Sequence, residues 1–381
     1  MLRSKLPETI KTALAEVQKL ASETSGCIDL ASAVPGLDMP QPLKNGIIKH
    51  IHDGHSQYAP VEGLYALRET VSGLYSSNHN RKYNPETEVT ITAGASEAIW
   101  SAITAVVHED DEVIIIEPSH ENYVPAIRIN GGTPLFVTLR HPDYRVDWNE
   151  VIRMVNQRTK MIIVNTPHTP SGMVYSDSDY KNLQKIVSGS KIIVLADETF
   201  GSLTYGKPFV SIAGYPALAK QSIVITSLSK ALNATGWKTG VCCAPADITR
   251  EIRRMHNYIC NGSNAAAQYA ISDLLSSSPD ILLKIRDAYQ LKRDLLCQLL
   301  KNSNYKLVPS EGTWFQLIDY SAISTESDKD FCLRLIKDYG VVAFPMSVYY
   351  HGKTKDNVIR LCFARPDDVI RKGVERLLKA K

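Results

Sequence analysis

Five short apolar segments rich in valine and isoleucine recur along the first 230 residues, each flanked by polar or turn residues. They are EVTITAG (88–94), DEVIIIEPS (111–119), KMIIVNTP (160–167), KIIVLADE (191–198) and SIVITSLS (222–229). Continuous apolar runs of this length are typical of strands that are buried on both faces. The stretches between them, such as 96–110 and 176–190, are long enough for helices. The pattern predicts a mainly parallel, doubly wound α/β sheet.

The pattern changes near residue 280. A long charged helix is predicted for 281–302, and strand-like and helical stretches then alternate to the end of the sequence. We therefore predict a large domain of residues 46–280 and a smaller α+β domain formed by residues 1–45 and 281–381.

Polar residues are concentrated where the apolar segments end. The clusters are Gly94-Ala95-Ser96, Pro118-Ser119-His120, Pro167-His168-Thr169, Asp197-Glu198 and Ser227-Leu228-Ser229-Lys230. In an open parallel sheet, ligands bind in the crevice at the carboxyl ends of the strands. We expect these clusters to surround one ligand.

The residue types indicate what that ligand is. A lysine in a partly apolar site, such as Lys230, can attack a carbonyl to form a Schiff base. A buried carboxylate such as Asp197 needs a facing cation, and a protonated pyridine ring is one. A helix N-terminus, a hydroxyl and a second cation would make an anion site from Ala95, Ser96, Ser227 and Lys238. An aldehyde, a basic ring nitrogen and a phosphate together describe pyridoxal 5′-phosphate (PLP).

The run SLSKALNATGWKTG (227–240) resembles the Schiff-base signature of the fold-type I, class I/II aminotransferases. Further segments resemble successive motifs of that family in the same order: QYAPVEGLYALRE (57–69), TAGASEAI (92–99), NTPHTPSG (165–172), ADE (196–198), EGTWF (311–315) and IRLCFAR (359–365). The resemblance covers nearly the whole chain and looks closest to the methionine/kynurenine aminotransferase branch.

The resemblance implies the type I fold of PLP-dependent transferases and an aminotransferase that acts on a methionine-like or aromatic α-amino acid, with a 2-oxo acid as acceptor. Lys230 would form the Schiff base and later shuttle the proton, and Asp197 would pair with the pyridinium nitrogen. Arg360 would bind the α-carboxylate of the substrate through a bidentate contact. The family also implies a homodimer in which Tyr58 reaches the phosphate of the neighbouring subunit.

Four positions depart from the family pattern near the ring and the carboxylate. Thr169 replaces an asparagine and Phe200 replaces a tyrosine, both of which usually donate to the ring hydroxyl. Thr199 could supply a replacement hydroxyl. His120 replaces the aromatic residue that stacks on the ring, and it adds a group that can titrate near neutrality. Ala33 lies in SAVP (32–35), where relatives carry QGFP. These departures leave open an alternative: a PLP enzyme of a specialised pathway that catalyses elimination, decarboxylation, oxidation or cyclisation.

Bulk composition limits the partners. The 381 residues are 44% hydrophobic and 22% charged, with a net charge of +3 and no basic run, so neither nucleic acid nor a membrane is an expected partner. The seven cysteines show no metal-type spacing, and two histidines, His52 and His55, lack the supporting ligands of a metal site. We expect reduced thiols, no bound metal and a cytoplasmic location.

Overall fold

The computed structural model describes residues 11–354 and 356–380. Residues 1–10, which belong to the predicted small domain, lie outside the described residues, as do Lys355 and Lys381. The strands are β1 (Ile28–Asp29), β2 (Val89–Thr92), β3 (Glu112–Glu117), β4 (Thr133–Thr138), β5 (Thr159–Asn165), β6 (Ile193–Asp197), β7 (Ser222–Ser227), β8 (Gly240–Cys243), β9 (Phe315–Asp319), β10 (Val341–Val342), β11 (Phe344–Pro345) and β12 (Val358–Cys362).

The α-helices alternate with these strands in the first part of the chain and follow them in longer runs later. They are α1 (Lys11–Glu23), α2 (Gln41–His52), α3 (Tyr65–His79), α4 (Gly94–Val106), α5 (Tyr123–Ile129), α6 (Trp148–Met154), α7 (Asp177–Val187), α8 (Pro216–Ala219), α9 (Leu228–Ala231), α10 (Ala246–Ile259), α11 (Ala265–Ser277), α12 (Ile281–Leu300), α13 (Asp328–Tyr339) and α14 (Asp367–Leu377).

A seven-stranded sheet in the order β2-β8-β7-β6-β5-β3-β4 is the centre of the large domain. Strand β8 pairs antiparallel with both of its neighbours, whereas the pairs formed by β3 to β7 are parallel. All six residues of β3 are buried. Alternate residues of β3 enter different apolar clusters, Ile114 and Ile116 on one face and Val113 and Ile115 on the other. This two-sided burial explains why the segment is continuously apolar.

The five predicted strands are confirmed as β2, β3, β5, β6 and β7, while β4 and β8 were not predicted. Strand β4 lies at the sheet edge and is mostly half-exposed or exposed, so its sequence lacks a continuous apolar run. Strand β8 reads GVCC, with a single valine and no isoleucine, so it forms no valine- and isoleucine-rich run. Strand β2 is equally short and also lies at an edge, but it reads VTIT and keeps a recognisable pattern.

The C-terminal part contains a three-stranded antiparallel sheet in the order β11-β12-β9. The N-terminal segment joins it, because β1 pairs in parallel with β10 and α1 packs against α13 and β11. Helix α2 runs without a break across residue 45 and packs on α11 of the large domain. The division of the chain at residue 45 stays a prediction.

Within residues 11–354 and 356–380, no helix has both the length and the apolarity that crossing a membrane requires.

Candidate active site

A cavity of about 450 Å³ opens at the carboxyl ends of the parallel strands, between the large sheet and the C-terminal part of the chain. Six of the predicted site residues line it: Ala33, His120, Thr169, Phe200, Lys230 and Arg360. The remaining lining residues are Leu14, Ala15 and Gln18 of α1, together with Glu121, Phe315, Phe344 and Tyr349. Each parallel strand delivers its following loop to the same edge of the sheet, which is why residues from distant segments meet here.

Lys230 is positioned by the turn that follows β7. The Ser227 hydroxyl oxygen accepts a hydrogen bond of 3.3 Å from the backbone N–H of Lys230 and caps the short helix α9. The ammonium nitrogen lies 4.5 Å from the centroid of the Phe200 ring. Burial lowers the pKa of Lys230 to about 8, a shift that Asp197 opposes and that the charges of Lys238 and Arg360 support. About a tenth of this amine is therefore neutral and nucleophilic at pH 7, far more than for an exposed lysine.

Asp197 ends β6, and 3% of its surface is exposed. One carboxylate oxygen accepts from the backbone N–H of Thr199 at 3.0 Å, and the other accepts from the Tyr123 hydroxyl at 2.6 Å. Both carboxylate oxygens thus have a donor within the chain, which fixes the orientation of the side chain. Tyr123, the first residue of α5, was not predicted from the sequence as part of the site.

His120 follows β3 and is half-buried beside Lys230. Its Nδ1 accepts from the backbone N–H of Asn122 at 3.3 Å, so the neutral ring carries its proton on Nε2. Burial lowers the pKa of His120, and the positive charge of Lys230 acts in the same direction. Both effects favour the uncharged imidazole.

Thr169 and Phe200 lie on neighbouring walls of the cavity. The Thr169 backbone N–H donates to the Asn165 side chain at 2.7 Å, which fixes the loop after β5. Phe200 packs edge-on against Trp314 and Phe315, with ring centroids 5.2 Å and 5.9 Å away. The phenyl ring of Phe200 is part of this aromatic cluster, and its packing does not require a hydroxyl group at this position.

Thr199 does not line the cavity that contains Lys230. Thr199 instead lines another cavity of about 440 Å³, and its hydroxyl is buried without a hydrogen-bond partner among the described residues. The suggestion that Thr199 replaces the missing donor at Phe200 is thus not supported by its position.

Arg360 on β12 is 4% exposed and faces no carboxylate within ion-pair distance in the described part of the chain. Its guanidinium carbon lies 4.0 Å from the Phe315 centroid and 5.2 Å from the centroids of Phe344 and Tyr349. One terminal N–H donates to the carbonyl oxygen of Ala31 at 3.2 Å, while Nε has no partner among the described residues. A buried guanidinium with a free donor is suited to a ligand carboxylate.

The loop that carries Ala33 is fixed by Arg365. The Arg365 side chain donates to the carbonyl oxygens of Asp29, Ser32 and Val34 over 2.6 to 2.7 Å. Gly36 lies directly on the Arg365 backbone, where a Cβ would come within 2.6 Å of the Arg365 Cα. These contacts fix the loop in a position where Ala33 lines the cavity.

A second cluster of polar groups lies at the N-terminus of α4, where Ala95 and Ser96 occupy the first turn. The Lys238 ammonium lies about 3.0 Å from the position that a Cβ on Gly94 would take. A Cβ on Gly240 would come within 2.7 Å of the Ala95 nitrogen, so strand β8 packs directly against this helix end. The free N–H groups of the first turn and the adjacent ammonium together favour an anion.

Tyr58 lies apart from the Lys230 cavity within one chain. It is 88% exposed in the loop after α2, where it lines a separate cleft of about 600 Å³ with residues 262–266. The single chain therefore does not bring Tyr58 together with the other predicted site residues.

Comparisons with known proteins agree with this arrangement. The sequence model of the aminotransferase class I and II family matches residues 25–377, and the chain belongs to that family. The chain is 37% identical over 376 residues to the methionine aminotransferase of Escherichia coli K12, covering 98% of this chain and 97% of that protein. It is 30% identical over 394 residues to the kynurenine–oxoglutarate transaminase of Dictyostelium discoideum, covering 93% and 91%.

The fold is shared as well. The crystal structure of YbdL from Escherichia coli, for which a methionine aminotransferase function was identified, superimposes with a TM-score of 0.95 at 37% identity and covers 100% of this chain and 99% of YbdL. The chain is thus a PLP-dependent aminotransferase of fold type I that acts on amino acids, and the predicted fold class, family and cofactor are confirmed.

Proposed function

We propose that the preferred substrates are a methionine-like or aromatic α-amino acid and a 2-oxo acid, and that both react in the cavity between Lys230 and Arg360. The observation that carries this proposal is the buried guanidinium of Arg360, which faces no carboxylate among the described residues and lies inside a box of three aromatic rings. A substrate α-carboxylate supplies the missing anion. The names of the relatives support the same substrate class, because one is a methionine aminotransferase and the other a kynurenine transaminase.

The residues present fit PLP. Asp197 would face the ring nitrogen, because it is a buried carboxylate held by donors on both oxygens. The first turn of α4, with Ala95 and Ser96, would bind the phosphate together with Ser227 and Lys238. When bound, PLP supplies an aldehyde for the amino group and an electron sink for the bonds at the α-carbon.

The residues of the chain supply binding, orientation and proton movement. Arg360 anchors the carboxylate and so sets the position of the substrate amine and α-carbon. Lys230, with its pKa lowered to about 8 by burial, can take up a proton at Nζ and return it within the cavity. His120, whose pKa is lowered by burial and by the charge of Lys230, would pack on the ring face. Phe315, Phe344 and Tyr349 exclude water from the carboxylate contact.

The side chain of the substrate would extend toward α1. Leu14, Ala15 and Phe344 give this end of the cavity an apolar wall, and the volume of about 450 Å³ accommodates a thioether or an aromatic ring. The alternative reactions left open by Thr169 and Phe200 gain no support from an observation in the structure or from the relatives, so we do not propose them.

We also propose that the active form is a homodimer in the cytoplasm. Tyr58 and Ile51, exposed by 88% and 53%, line one cleft, so a second copy covering it would bury apolar surface and bring Tyr58 to the phosphate site of its partner. All seven cysteines are free thiols, which suits a reducing compartment. Sedimentation velocity tests the dimer, and a mixture of Tyr58→Phe and Lys230→Ala chains tests whether sites are shared.

The substrate proposal is tested with purified protein, PLP, a panel of twenty amino acids and a panel of 2-oxo acids. We expect the highest kcat/KM for methionine or an aromatic amino acid, and a fall in kcat/KM for every amino acid in Arg360→Gln, because the α-carboxylate is common to all of them. Arg371→Gln removes an exposed arginine on α14 and serves as the matched control. Highest activity with an acidic or a basic amino acid would contradict the proposed substrate class.

A further inference from the structure

The segment that carries Tyr58 is attached to the rest of the chain through two facing histidines. His50, near the end of α2, is 5% exposed, and its Nε2 lies 2.8 Å from the Asp273 carboxylate on α11. The Nδ1 atoms of His50 and His55 lie 3.1 Å apart. The His55 ring also stacks on Tyr269 of α11, with centroids 4.0 Å apart and planes inclined by 21°.

The contacts that run from Asp273 through His50 to His55 end at the cleft where a second subunit would bind. His55 and Tyr58 line the same cleft of about 600 Å³, and only Ser56 and Gln57 separate them. The backbone N–H of His55 donates to the His50 carbonyl at 3.0 Å, which closes the turn after α2. The orientation of the loop is therefore coupled to the contact between the two imidazoles.

We propose that Asp273, His50 and His55 are positioning residues for Tyr58, and that they hold its loop only while one of the two facing Nδ1 atoms lacks a proton. The proposal deepens the proposed function, because it rests on Tyr58 serving the phosphate site of a partner subunit. Asp273 orients His50, His50 anchors His55, and His55 fixes the start of the Tyr58 segment.

A hydrogen bond between two ring nitrogens requires a proton on one nitrogen and a lone pair on the other. If His50 donates from Nε2 to Asp273, its Nδ1 is free to accept from the protonated Nδ1 of His55. The first additional proton can bind at Nε2 of His55, where it leaves the contact intact. A second proton must bind at Nδ1 of His50, where it sets two N–H donors against each other and breaks the contact.

The charged and titratable groups around the two histidines lie on α11 and on the turn after α2. Asp273 and Tyr269 are the titratable groups that face the pair from α11, and the Asp273 carboxylate balances one positive charge. Lys49, His52 and Asp53 belong to the same turn but are exposed to solvent, where their effect is screened. Because added protons break the contact at Nδ1 of His50, acidification is the perturbation that tests it.

The test compares wild type, His55→Phe and His52→Phe. A phenyl ring at position 55 keeps the stack on Tyr269 but removes the nitrogen contact, whereas His52→Phe changes an exposed histidine of the same turn and is the matched control. PLP affinity is measured by titrating the apoprotein at pH 8.0 and pH 5.5. Amide exchange of residues 53–58, corrected for the intrinsic rate at each pH, reports the loop without any cofactor.

We expect His55→Phe to bind PLP about fivefold more weakly than wild type at pH 8.0, the effect of one lost hydrogen bond, and the difference to become smaller at pH 5.5. Protection of residues 53–58 should follow the same pattern, and His52→Phe should behave as wild type. Equal affinity and equal protection of wild type and His55→Phe at pH 8.0 would overturn the proposal.

The outcomes also separate this proposal from the proposed function. A monomeric protein would contradict the role of Tyr58 at a shared site, and the proposal with it, even if the loop were protected as expected. A dimer that binds PLP but shows the same pH dependence in wild type and His55→Phe would leave the proposed function standing and contradict only the positioning chain.

Discussion

Replacing Lys230 by methionine should stabilise the apoprotein at neutral pH. Burial lowers the pKa of Lys230 from 10.5 to about 8, so at pH 7 the folded chain carries a charge in a site that disfavours it. A shift of about 2.5 pKa units corresponds to roughly 3 kcal/mol of unfolding free energy. Methionine is similar in length and carries no charge, and it therefore removes this cost.

The pH dependence of the stability difference between Lys230→Met and wild type shows whether the buried charge causes it. Between pH 8 and 10.5 the unfolded chain binds a proton on this lysine and the folded chain does not, so wild-type stability rises with pH across that window. Below pH 8 both states are protonated and the full cost is present. The advantage of Lys230→Met over wild type should therefore fall from about 3 kcal/mol at pH 7 to about 1 kcal/mol at pH 10.

Urea unfolding of both apoproteins at pH 7 and pH 10 measures this difference. Lys220→Met removes an exposed lysine and should show no pH-dependent advantage. A pH-independent advantage of Lys230→Met would mean that methionine only improves apolar packing, and it would refute the assignment of the cost to the buried charge. Competitive labelling of wild type provides a direct check, because the reactivity of Lys230 should have its midpoint near pH 8.

Three further changes test the other parts of the site. Arg360→Lys should raise KM for the amino acid by about 10- to 100-fold through loss of the bidentate contact, with PLP affinity unchanged; steady-state kinetics with unchanged KM would remove Arg360 from the carboxylate site. Tyr123→Phe removes the donor at 2.6 Å from Asp197 and should weaken PLP binding by about tenfold in a titration of the apoprotein. Thr169→Asn combined with Phe200→Tyr restores two donors to the ring oxygen and should lower the pH midpoint of the bound-cofactor absorbance and speed transamination; no change in either would mean that the departures have no effect on the reaction.

The sequence allowed the core of the fold to be predicted because its central strands are buried on both faces. Residues such as Val113 to Ile116 have to be apolar at every position, and this leaves a pattern that is easy to recognise. The edge strand β4 is under no such constraint, and β8, which begins with glycine and contains a single valine, forms no valine- and isoleucine-rich run.

The predicted site was recognised best where a residue ends a buried strand. Lys230, Asp197 and His120 follow apolar runs directly, so the sheet itself positions them. Tyr123 and the aromatic box around Arg360 were missed because their roles depend on contacts between segments far apart in the chain. Phe315, Phe344 and Tyr349 reach Arg360 only through the antiparallel pairing of β9, β11 and β12 and the turn that follows β11. The spacing of Tyr123 three residues after His120 was the one local signal available.

The central claim is that Lys230 is the residue that links covalently to PLP. The direct measurement is reduction of the purified yellow holoenzyme with borohydride, followed by proteolysis and mass spectrometry of the labelled peptide. The account predicts one phosphopyridoxyl group per chain, on Lys230, and none in Lys230→Ala treated in the same way. Labelling of another lysine, such as Lys238, or a protein that takes up no cofactor would contradict it.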